Sequence, residues 1–288
     1  MEYITLNNGV RMPLAGYGVY QVSKADCTQC VLDAIEAGYR LIDTAQSYFN
    51  EAEVGQAIAR CGVPREELFI TTKVWIDNYG YEKCRASVLE SMRKLQVEYL
   101  DLILLHQPFA DYYGAYRALE ELYAEGKVRA IGVSNFYADR LADICLFERK
   151  VIPQVNQVEV NPRNAQFAAQ QTMQHFGVQI EAWAPFGEGR DGMFSNEVLV
   201  GIGQKYGKSV AQVILRWLTQ RGVVALAKSV KKERMAENIN IFDFTLSEED
   251  MAAITSLDRS ESLFFSHYDP KMVEWFDATV KSRRENQG

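Results

Sequence analysis

The sequence is short of positive charge and of long apolar runs, and each shortage excludes a class of protein. Its 288 residues contain 31 Lys and Arg against 38 Asp and Glu, which gives a formal net charge of −7. Nucleic-acid binding needs a cationic face, so this balance argues against nucleic acid as the main partner. No apolar stretch approaches the roughly 18 residues that a membrane helix requires, so no membrane partner is predicted.

Cysteine is also scarce, with five residues at scattered positions. An odd, unpaired set of this kind suits a reducing compartment. Cys27 and Cys30 form a CxxC pair within a helical pattern, but no second pair completes a zinc site, so no metal site is predicted. The opening residues, MEYITLNNGV, lack the basic end and the apolar run of a signal peptide, and we therefore expect a cytoplasmic protein.

Short apolar segments alternate with longer amphipathic ones along most of the chain. Residues 3–13 predict a β-hairpin, with positive φ angles supplied by Asn8 and Gly9. Glycine follows several of the helical patterns, as is typical of helix C-termini: Gly38, Gly126, Gly177 and Gly222. The predicted strands of the main sheet are 14–18, 39–45, 68–75, 100–106, 128–134, 153–159, 178–184 and 223–229.

Eight strands, each followed by a helical segment, predict an α/β protein with a parallel sheet. Eight units in 288 residues fit a closed (β/α)8 TIM barrel of one domain, residues 1–288. A doubly wound open sheet is the alternative fold. The tail after residue 240 predicts a C-terminal extension, with a helix capped by Ser247 and an aromatic-rich loop.

The segment GEGRDG, residues 187–192, matches the dinucleotide-binding pattern G-x-G-x-x-G. The match alone is weak, because no helix opens directly from the glycines and no acidic residue lies about twenty positions further on. In a barrel, however, this segment follows the seventh strand, where phosphate groups commonly bind. We therefore expect it to contact a dinucleotide, with Arg190 adding positive charge.

Polar side chains stand at the ends of several predicted strands, where barrel enzymes place their active sites. Asp43 ends the second strand and Tyr48 follows it, Lys73 ends the third, and His106 ends the fourth. Helix capping, a simple ion pair or a core histidine would explain any one of them. Together they predict one cluster at the barrel mouth.

This cluster has the composition of a proton-delivery device. A buried ammonium lowers the pKa of a neighbouring phenol, and a carboxylate keeps that ammonium charged. The phenol can then act as a general acid towards a carbonyl oxygen, which a neutral imidazole orients by a hydrogen bond. No flavin motif, metal cluster or activated nucleophile accompanies the cluster, so a nicotinamide is the expected electron source.

At these residues the chain resembles the aldo-keto reductases over essentially its whole length. The matching stretches are GYRLIDTAQSYFNEAEVGQAI, FITTKVW, YLDLILLHQP, GKVRAIGVSNF, QVNQVEVNP and AKSVKKERMAEN. The resemblance implies a catalytic tetrad of Asp43, Tyr48, Lys73 and His106. It also implies a (β/α)8 barrel that binds NADPH across its mouth and acts on aldehydes, dicarbonyls or keto-sugars.

The resemblance also implies the binding residues. Those expected to bind NADPH are Ser134, Asn135, Gln157, Trp183, Lys228, Ser229, Arg234, Glu237 and Asn238, and the position of GEGRDG adds Arg190 to them. The substrate pocket is expected to be walled by Tyr20, Trp75, Gln107, Phe109, Phe264, Phe265 and Tyr268. Gln107 stands where a bulky aromatic residue is common in the family, and it makes the wall more polar.

Three functions remain open on the sequence. The first is an NADPH-dependent carbonyl reductase that works as a monomer on a small-molecule carbonyl substrate. The second is an NADP-binding sensor or partner subunit of the same fold with little turnover. The third is a phosphate-binding barrel lyase or isomerase that uses Lys73 to form an imine with its substrate. The complete tetrad favours the first.

Overall fold

The computed structural model describes residues 1–147 and 149–285. Glu148 and residues 286–288 of the predicted domain lie outside the described residues. The chain starts with the expected antiparallel hairpin, made of β1 (Tyr3–Thr5) and β2 (Arg11–Pro13).

The hairpin turn differs from the prediction. Gly9 has a φ of 84°, but Asn8 does not have a positive φ. The Leu6 N–H donates to the Val10 carbonyl at 2.9 Å, so the ladder continues to a three-residue loop whose last residue is glycine. That arrangement is common in hairpins and needs only one left-handed residue. The Asn8 side chain instead donates to the Arg129 carbonyl at 2.9 Å and ties the hairpin to the barrel.

Eight parallel strands close into a barrel in which each strand pairs with the next along the chain and the last pairs with the first. The predicted (β/α)8 barrel is confirmed, and the alternative of an open doubly wound sheet is wrong. The barrel strands are β3 (Ala15–Gly18), β4 (Leu41–Asp43), β5 (Phe69–Val74), β6 (Leu102–Leu105), β7 (Ile131–Ser134), β8 (Val155–Glu159), β9 (Gln179–Trp183) and β10 (Val224–Ala227).

Helices connect the strands and cover the outside of the barrel. They are α1 (Lys24–Glu36), α2 (Glu51–Arg60), α3 (Tyr81–Leu95), α4 (Tyr112–Ala124), α5 (Ala138–Leu146), α6 (Phe167–His175), α7 (Glu197–Tyr206), α8 (Val210–Gln220) and α9 (Lys232–Ile239). Four glycines predicted at helix C-termini have positive φ, as that position requires: Gly38, Gly126, Gly177 and Gly222.

The interior of the barrel changes character along its strands. Its amino end is an apolar cluster that includes Leu41, Phe69 and Val155. Alternate residues of a strand share one face, so Asp43 points inward two positions after Leu41. The barrel interior is therefore apolar at the amino ends of the strands and becomes polar at their carboxyl ends.

A C-terminal extension, which was predicted, crosses the carboxyl end of the barrel. Its first helix, α10 (Glu248–Thr255), begins at Ser247, whose hydroxyl accepts from the Asp250 N–H at 3.2 Å. A loop follows, and the chain then forms α11 (Pro270–Glu285). Among the described residues, no helix combines the length and the apolar character that crossing a bilayer demands.

Candidate active site

The four side chains predicted to be catalytic lie together at the carboxyl end of the barrel. Asp43 is the last residue of β4, Lys73 lies near the end of β5, and His106 follows β6 directly. Tyr48 ends a 3₁₀ turn, Gln46–Tyr48, in the loop after β4. Parallel strands bring all their carboxyl ends to one face, which is why residues far apart in sequence meet here.

Lys73 and Asp43 form a buried ion pair. Lys73 Nζ lies 2.6 Å and 2.8 Å from the two carboxylate oxygens, and it also donates to the Thr44 carbonyl at 3.0 Å. Burial by itself lowers the pKa of Lys73, but the Asp43 carboxylate outweighs it and leaves that pKa above its usual value. The lysine is therefore an ammonium ion, although its side chain is fully buried.

Tyr48 is less acidic than predicted. Its hydroxyl oxygen lies 3.5 Å from Lys73 Nζ. Burial raises the pKa of Tyr48 to about 12, while the Lys73 charge lowers it and the Asp43 charge raises it. The expected depressed pKa is wrong for this structure, because desolvation of the phenol outweighs the neighbouring cation. Tyr48 is protonated at neutral pH, which is the state a proton donor needs.

His106 is neutral and lies beside the phenol. The pKa of His106 is well below 6.5, because burial and the Lys73 charge both disfavour the imidazolium. The rings of Tyr48 and Trp75 meet the imidazole edge-on, with centroid distances of 5.7 Å and 5.2 Å. A neutral imidazole carries one N–H, so it can donate one hydrogen bond to a ligand, as the sequence predicted.

The residues predicted to hold a nicotinamide carboxamide form one hydrogen-bonded group around the tetrad. Ser134 Oγ donates to the Gln157 carbonyl at 2.8 Å, and Asn135 Nδ2 donates to the His106 carbonyl at 3.1 Å. Trp183 Nε1 donates to Asn135 Oδ1 at 2.9 Å and so fixes its ring at the mouth. Amide groups with defined partners at this position suit a carboxamide ligand, which needs both donors and acceptors.

Five residues predicted to bind the adenosine end of the cofactor lie after β10 or on α9: Lys228, Ser229, Arg234, Glu237 and Asn238. The side chains of Lys228 and Arg234 are exposed. Neither makes a salt bridge within the part of the chain that the structure describes. The Ser229 carbonyl accepts from the Tyr17 hydroxyl at 2.6 Å, which fixes the exit of the strand. Free cations beside a fixed serine suit a phosphate group.

The GEGRDG segment forms irregular 3₁₀ turns within Gly187–Ser195. Five of its six residues have positive φ, and the Gly187 and Gly189 N–H groups donate to the Ala184 and Phe186 carbonyls at 2.9 Å. Arg190 Nη1 donates to the Leu263 carbonyl at 2.7 Å, and its guanidinium lies 4.3 Å from the centre of the Phe264 ring. Arg190 thus joins this segment to the C-terminal extension, and its contact with a dinucleotide stays a prediction.

Several of the residues predicted to wall the substrate pocket lie beside the tetrad. The ring of Tyr20 lies 5.0 Å from that of Tyr48, and Phe264 lies 5.2 Å from Trp183. The Trp75 ring lies 5.2 Å from that of His106, Gln107 directly follows His106, and Phe109 and Phe265 pack against Phe276 at 5.4 Å and 6.0 Å. Tyr268 is exposed and packs on Tyr137 at 4.6 Å, so no contact joins it to the tetrad within the described residues. The wall is mainly aromatic, and Gln107 is its polar member among the predicted residues.

The sequence missed two residues of this wall, His267 and Phe276. His267 Nε2 lies 2.7 Å from Gln107 Oε1, so the amide of Gln107 faces a partner rather than open solvent. Phe276, on α11, packs against Trp75 and Phe109 with centroid distances of 5.9 Å and 5.4 Å. Both belong to the C-terminal extension, and no periodic pattern in the sequence shows where such a segment packs.

The sequence also missed Glu181, a fully buried carboxyl group on β9. Glu181 Oε2 accepts a hydrogen bond from Gln157 Nε2 at 2.9 Å, and the same nitrogen donates to Asp43 Oδ2 at 3.1 Å. A glutamate inside the apolar strand VQIEAWA was a visible signal, since buried acids are rare unless paired.

Comparison with known proteins agrees with the class of protein that the barrel and its tetrad define. A family model described as the aldo/keto reductase family matches residues 12–259. The chain belongs to this family. The extension beyond residue 259, including Phe264, Phe265 and Phe276, lies outside the matched segment.

Among curated relatives, the chain is 49% identical over 262 residues to the glyoxal reductase of Bacillus subtilis (strain 168), covering 90% of this chain and 94% of the relative. It is 46% identical over 267 residues to the 9,11-endoperoxide prostaglandin H2 reductase of Trypanosoma cruzi (strain CL Brener), covering 90% of this chain and 93% of the relative.

Two solved structures show the same fold. An aldo-keto reductase from a Medee basin deep-sea metagenome library superimposes with a TM-score of 0.90 at 40% identity, over 92% of this chain and 98% of that one. The Bombyx mori aldo-keto reductase in complex with NADP superimposes with a TM-score of 0.87 at 36% identity, over 92% of this chain and 95% of that one.

Proposed function

We propose that this protein is an NADPH-dependent oxidoreductase that reduces the carbonyl group of aldehydes, dicarbonyls or keto-sugars to an alcohol. One observation carries the proposal: protonated Tyr48 lies 3.5 Å from the buried ammonium of Lys73 and beside neutral His106. A proton donor and a neutral hydrogen-bond donor that face one point suit the oxygen of a carbonyl group.

In this proposal Tyr48 and His106 are the groups that touch the substrate. His106 donates a hydrogen bond to the carbonyl oxygen, and Tyr48 transfers its hydroxyl proton to that oxygen as negative charge develops there. Lys73 stabilises the phenolate that remains, and Asp43 keeps Lys73 charged in the interior. Lys73 and Asp43 therefore act through Tyr48 as positioning residues. When bound, reduced nicotinamide supplies the hydride, which the side chains of this protein cannot supply.

The proposed cofactor site extends from the tetrad to the end of β10. Asn135 and Gln157 would hold the carboxamide, and the Trp183 ring would stack on the nicotinamide. The exposed cations Lys228 and Arg234 would hold the 2′-phosphate that distinguishes NADPH from NADH. The NADP complex of the Bombyx mori relative supports this assignment.

We propose small substrates for this pocket. The Trp75 ring lies 5.2 Å from that of His106 and packs against Phe276 at 5.9 Å, so an aromatic wall stands directly beside the imidazole and favours a small group there. The name of the Bacillus subtilis relative, a glyoxal reductase, supports a dicarbonyl as the first substrate to test. A cytoplasmic location and a monomeric state remain predictions.

The two other functions have less support. An imine-forming lysine must be an uncharged amine when it attacks the carbonyl carbon, whereas the ion pair with Asp43 keeps Lys73 protonated. An NADP-binding sensor would retain the clamp around Arg234 without needing the tetrad. The assay below separates the sensor from the reductase.

The test is oxidation of NADPH that depends on a carbonyl compound. The purified protein is assayed with glyoxal, methylglyoxal, a simple aldehyde, a ketone and a keto-sugar, each with NADPH and with NADH. We expect turnover with NADPH and small aldehydes or dicarbonyls. Tight NADPH binding with no turnover on any member of the panel would support the sensor and contradict the reductase.

The phosphate clamp is tested by the substitution Arg234→Ala. A charge-assisted contact to a phosphate contributes roughly 1.5–3 kcal/mol, so the Kd for NADPH should rise about tenfold or more while that for NADH stays unchanged. Lys232→Ala is the matched control, because Lys232 lies on the same helix but is held by Glu36 at 2.7 Å. Equal losses for both cofactors would contradict the clamp.

A further inference from the structure

A second carboxyl group lies in the barrel interior below the Asp43–Lys73 pair. Glu181 lies opposite Gln157 in the β8–β9 register, and its side chain is fully buried. Gln157 Nε2 donates to Glu181 Oε2 at 2.9 Å and to Asp43 Oδ2 at 3.1 Å. One amide thus links Glu181 to the carboxylate that holds Lys73.

The charges around Glu181 do not balance if both carboxyl groups are ionised. The charged and titratable groups that face it are Asp43 on β4, Lys73 on β5 and, beyond the lysine, Tyr48. On β10, Val224 lies opposite Glu181 in the register and carries no charge. One ammonium can offset one carboxylate, and a second anion in a closed interior is costly.

The hydrogen bonds show which carboxyl group keeps a proton. Both oxygens of Asp43 contact the Lys73 ammonium, so Asp43 is the ionised partner. Glu181 Oε1 is buried and has no hydrogen-bond partner within the described residues, so it is the atom that can carry a proton. In agreement, burial and the Asp43 charge raise the pKa of Glu181 to about 8.

We propose that Glu181 is a positioning residue of the tetrad: a buried carboxylic acid whose protonation, transmitted through Gln157 and Asp43, sets how readily Tyr48 releases its proton. The proposal rests on the proposed reductase function. At neutral pH Glu181 is uncharged, and Lys73 and Asp43 balance each other. When Glu181 loses its proton to solvent, an uncompensated negative charge remains near Lys73, and it opposes formation of the Tyr48 phenolate.

The other titratable groups of the site change protonation outside the pH range of this effect. His106 is neutral because its pKa is well below 6.5, and the pKa of Tyr48 is about 12. His267, the other histidine of the pocket, has a pKa lowered to about 4 by burial. Between pH 6.5 and 10, Glu181 is therefore the group of the described site that is expected to titrate.

The kinetic test is the pH profile of kcat for reduction, measured at saturating substrate in wild type and in Glu181→Gln. Glutamine has the same shape and can still accept from Gln157, but it cannot ionise. We expect wild-type kcat to fall by about threefold to tenfold between pH 7 and 9, and the fall to be absent in Glu181→Gln. Identical profiles in the two proteins would overturn the proposal.

Glu51→Gln is the matched control. Glu51 is also a buried glutamate, it accepts from Thr72 Oγ1 at 2.7 Å, and burial raises its pKa. It lies on α2, outside the barrel, and within the described part of the chain it makes no hydrogen bond to the tetrad. Its variant should keep the wild-type profile, and a flattened profile in this variant as well would show that Glu181 has no special role.

A second measurement needs no turnover and no cofactor. Infrared spectra of protein labelled with ¹³C-glutamate in the Glu51→Gln background should show a protonated carboxyl band at pH 7 that falls to about half its intensity near pH 8 and is lost at higher pH. If every glutamate is ionised at pH 7, the proposal fails even when Glu181→Gln does not fold. Failure of the proposed reductase function would be distinguishable from failure of the Glu181 proposal, because the wild-type protein would then show no turnover at any pH.

Discussion

The two ends of the barrel interior are built by the same strands but perform different tasks. At the amino end, Leu41 and Phe69 face each other across β4 and β5 in an apolar cluster. At the carboxyl end of the same strands, Asp43 and Lys73 form an ion pair with no exposure of the lysine. Apolar packing stabilises the closed barrel, and that rigid frame permits a buried charge pair that water would otherwise separate.

This difference explains why the polar end tolerates few amino-acid substitutions. An apolar side chain can be shortened at the cost of a cavity, but a buried charge that loses its partner is left without compensation. Substitutions at the two ends should therefore separate activity from stability, and the three predictions below run from the largest effect to the smallest.

The largest effect is expected for Lys73→Met. Without the ammonium, the phenolate of Tyr48 has no stabilising cation, so kcat for reduction should fall about 10³-fold. The free energy of unfolding should also fall by about 3–5 kcal/mol, because Asp43 is left buried and unpaired. Steady-state kinetics and urea unfolding measure the two losses. Lys94→Met, at a half-exposed lysine outside the site, is the control. Activity within tenfold of wild type would contradict the role of Lys73.

At the apolar end, Phe69→Ala should affect stability alone. The cavity it leaves lowers the free energy of unfolding by about 3–5 kcal/mol, as urea unfolding would show. With substrate saturating, kcat should stay within about threefold of wild type, since Phe69 belongs to a separate cluster from the tetrad. Leu89→Ala, at an exposed leucine, is the control and should change stability by less than about 0.5 kcal/mol. A large loss of kcat in Phe69→Ala would show that the two ends are not independent.

The smallest effect concerns Glu181, whose burial makes the free energy of unfolding depend on pH. Its pKa rises from 4.5 to about 8 on folding, so between these values the folded protein holds a proton that the unfolded chain has released. The free energy of unfolding of wild type should therefore decrease as pH rises from 5 to 8, relative to that of Glu181→Gln. Urea unfolding at several pH values tests this. Parallel stability curves would show that Glu181 is ionised in the folded protein.

Much of the site was predictable because the order of the strands and the position of their ends follow from the local pattern of apolar and polar residues. The alternation of short apolar and long amphipathic segments predicted the barrel, and the barrel places strand ends together. Asp43, Lys73 and His106 follow from that rule alone. The positions of Ser134 and Gln157 at two further strand ends follow in the same way.

Other features depended on contacts that no local pattern encodes. The acidity of Tyr48 was predicted with the wrong sign, because the degree of desolvation depends on how the whole mouth closes. His267 and Phe276 reach the pocket because the C-terminal extension packs against Trp75, Gln107 and Phe109, which lie far away in sequence. Asn8 was predicted to have a left-handed conformation. The three-residue turn that the Leu6–Val10 hydrogen bond closes needs that conformation at Gly9 alone. Glu181 lies within β9 rather than at its end, so the rule of polar strand ends does not select it.

The central claim is that the Tyr48 hydroxyl is the proton donor of a carbonyl reduction. Its most direct test is Tyr48→Phe, with kcat measured on an accepted aldehyde and NADPH affinity measured by quenching of tryptophan fluorescence. The account predicts that kcat falls at least about 10³-fold while the Kd for NADPH stays within about twofold, because only the reacting hydroxyl is removed. A variant that keeps wild-type turnover would contradict it.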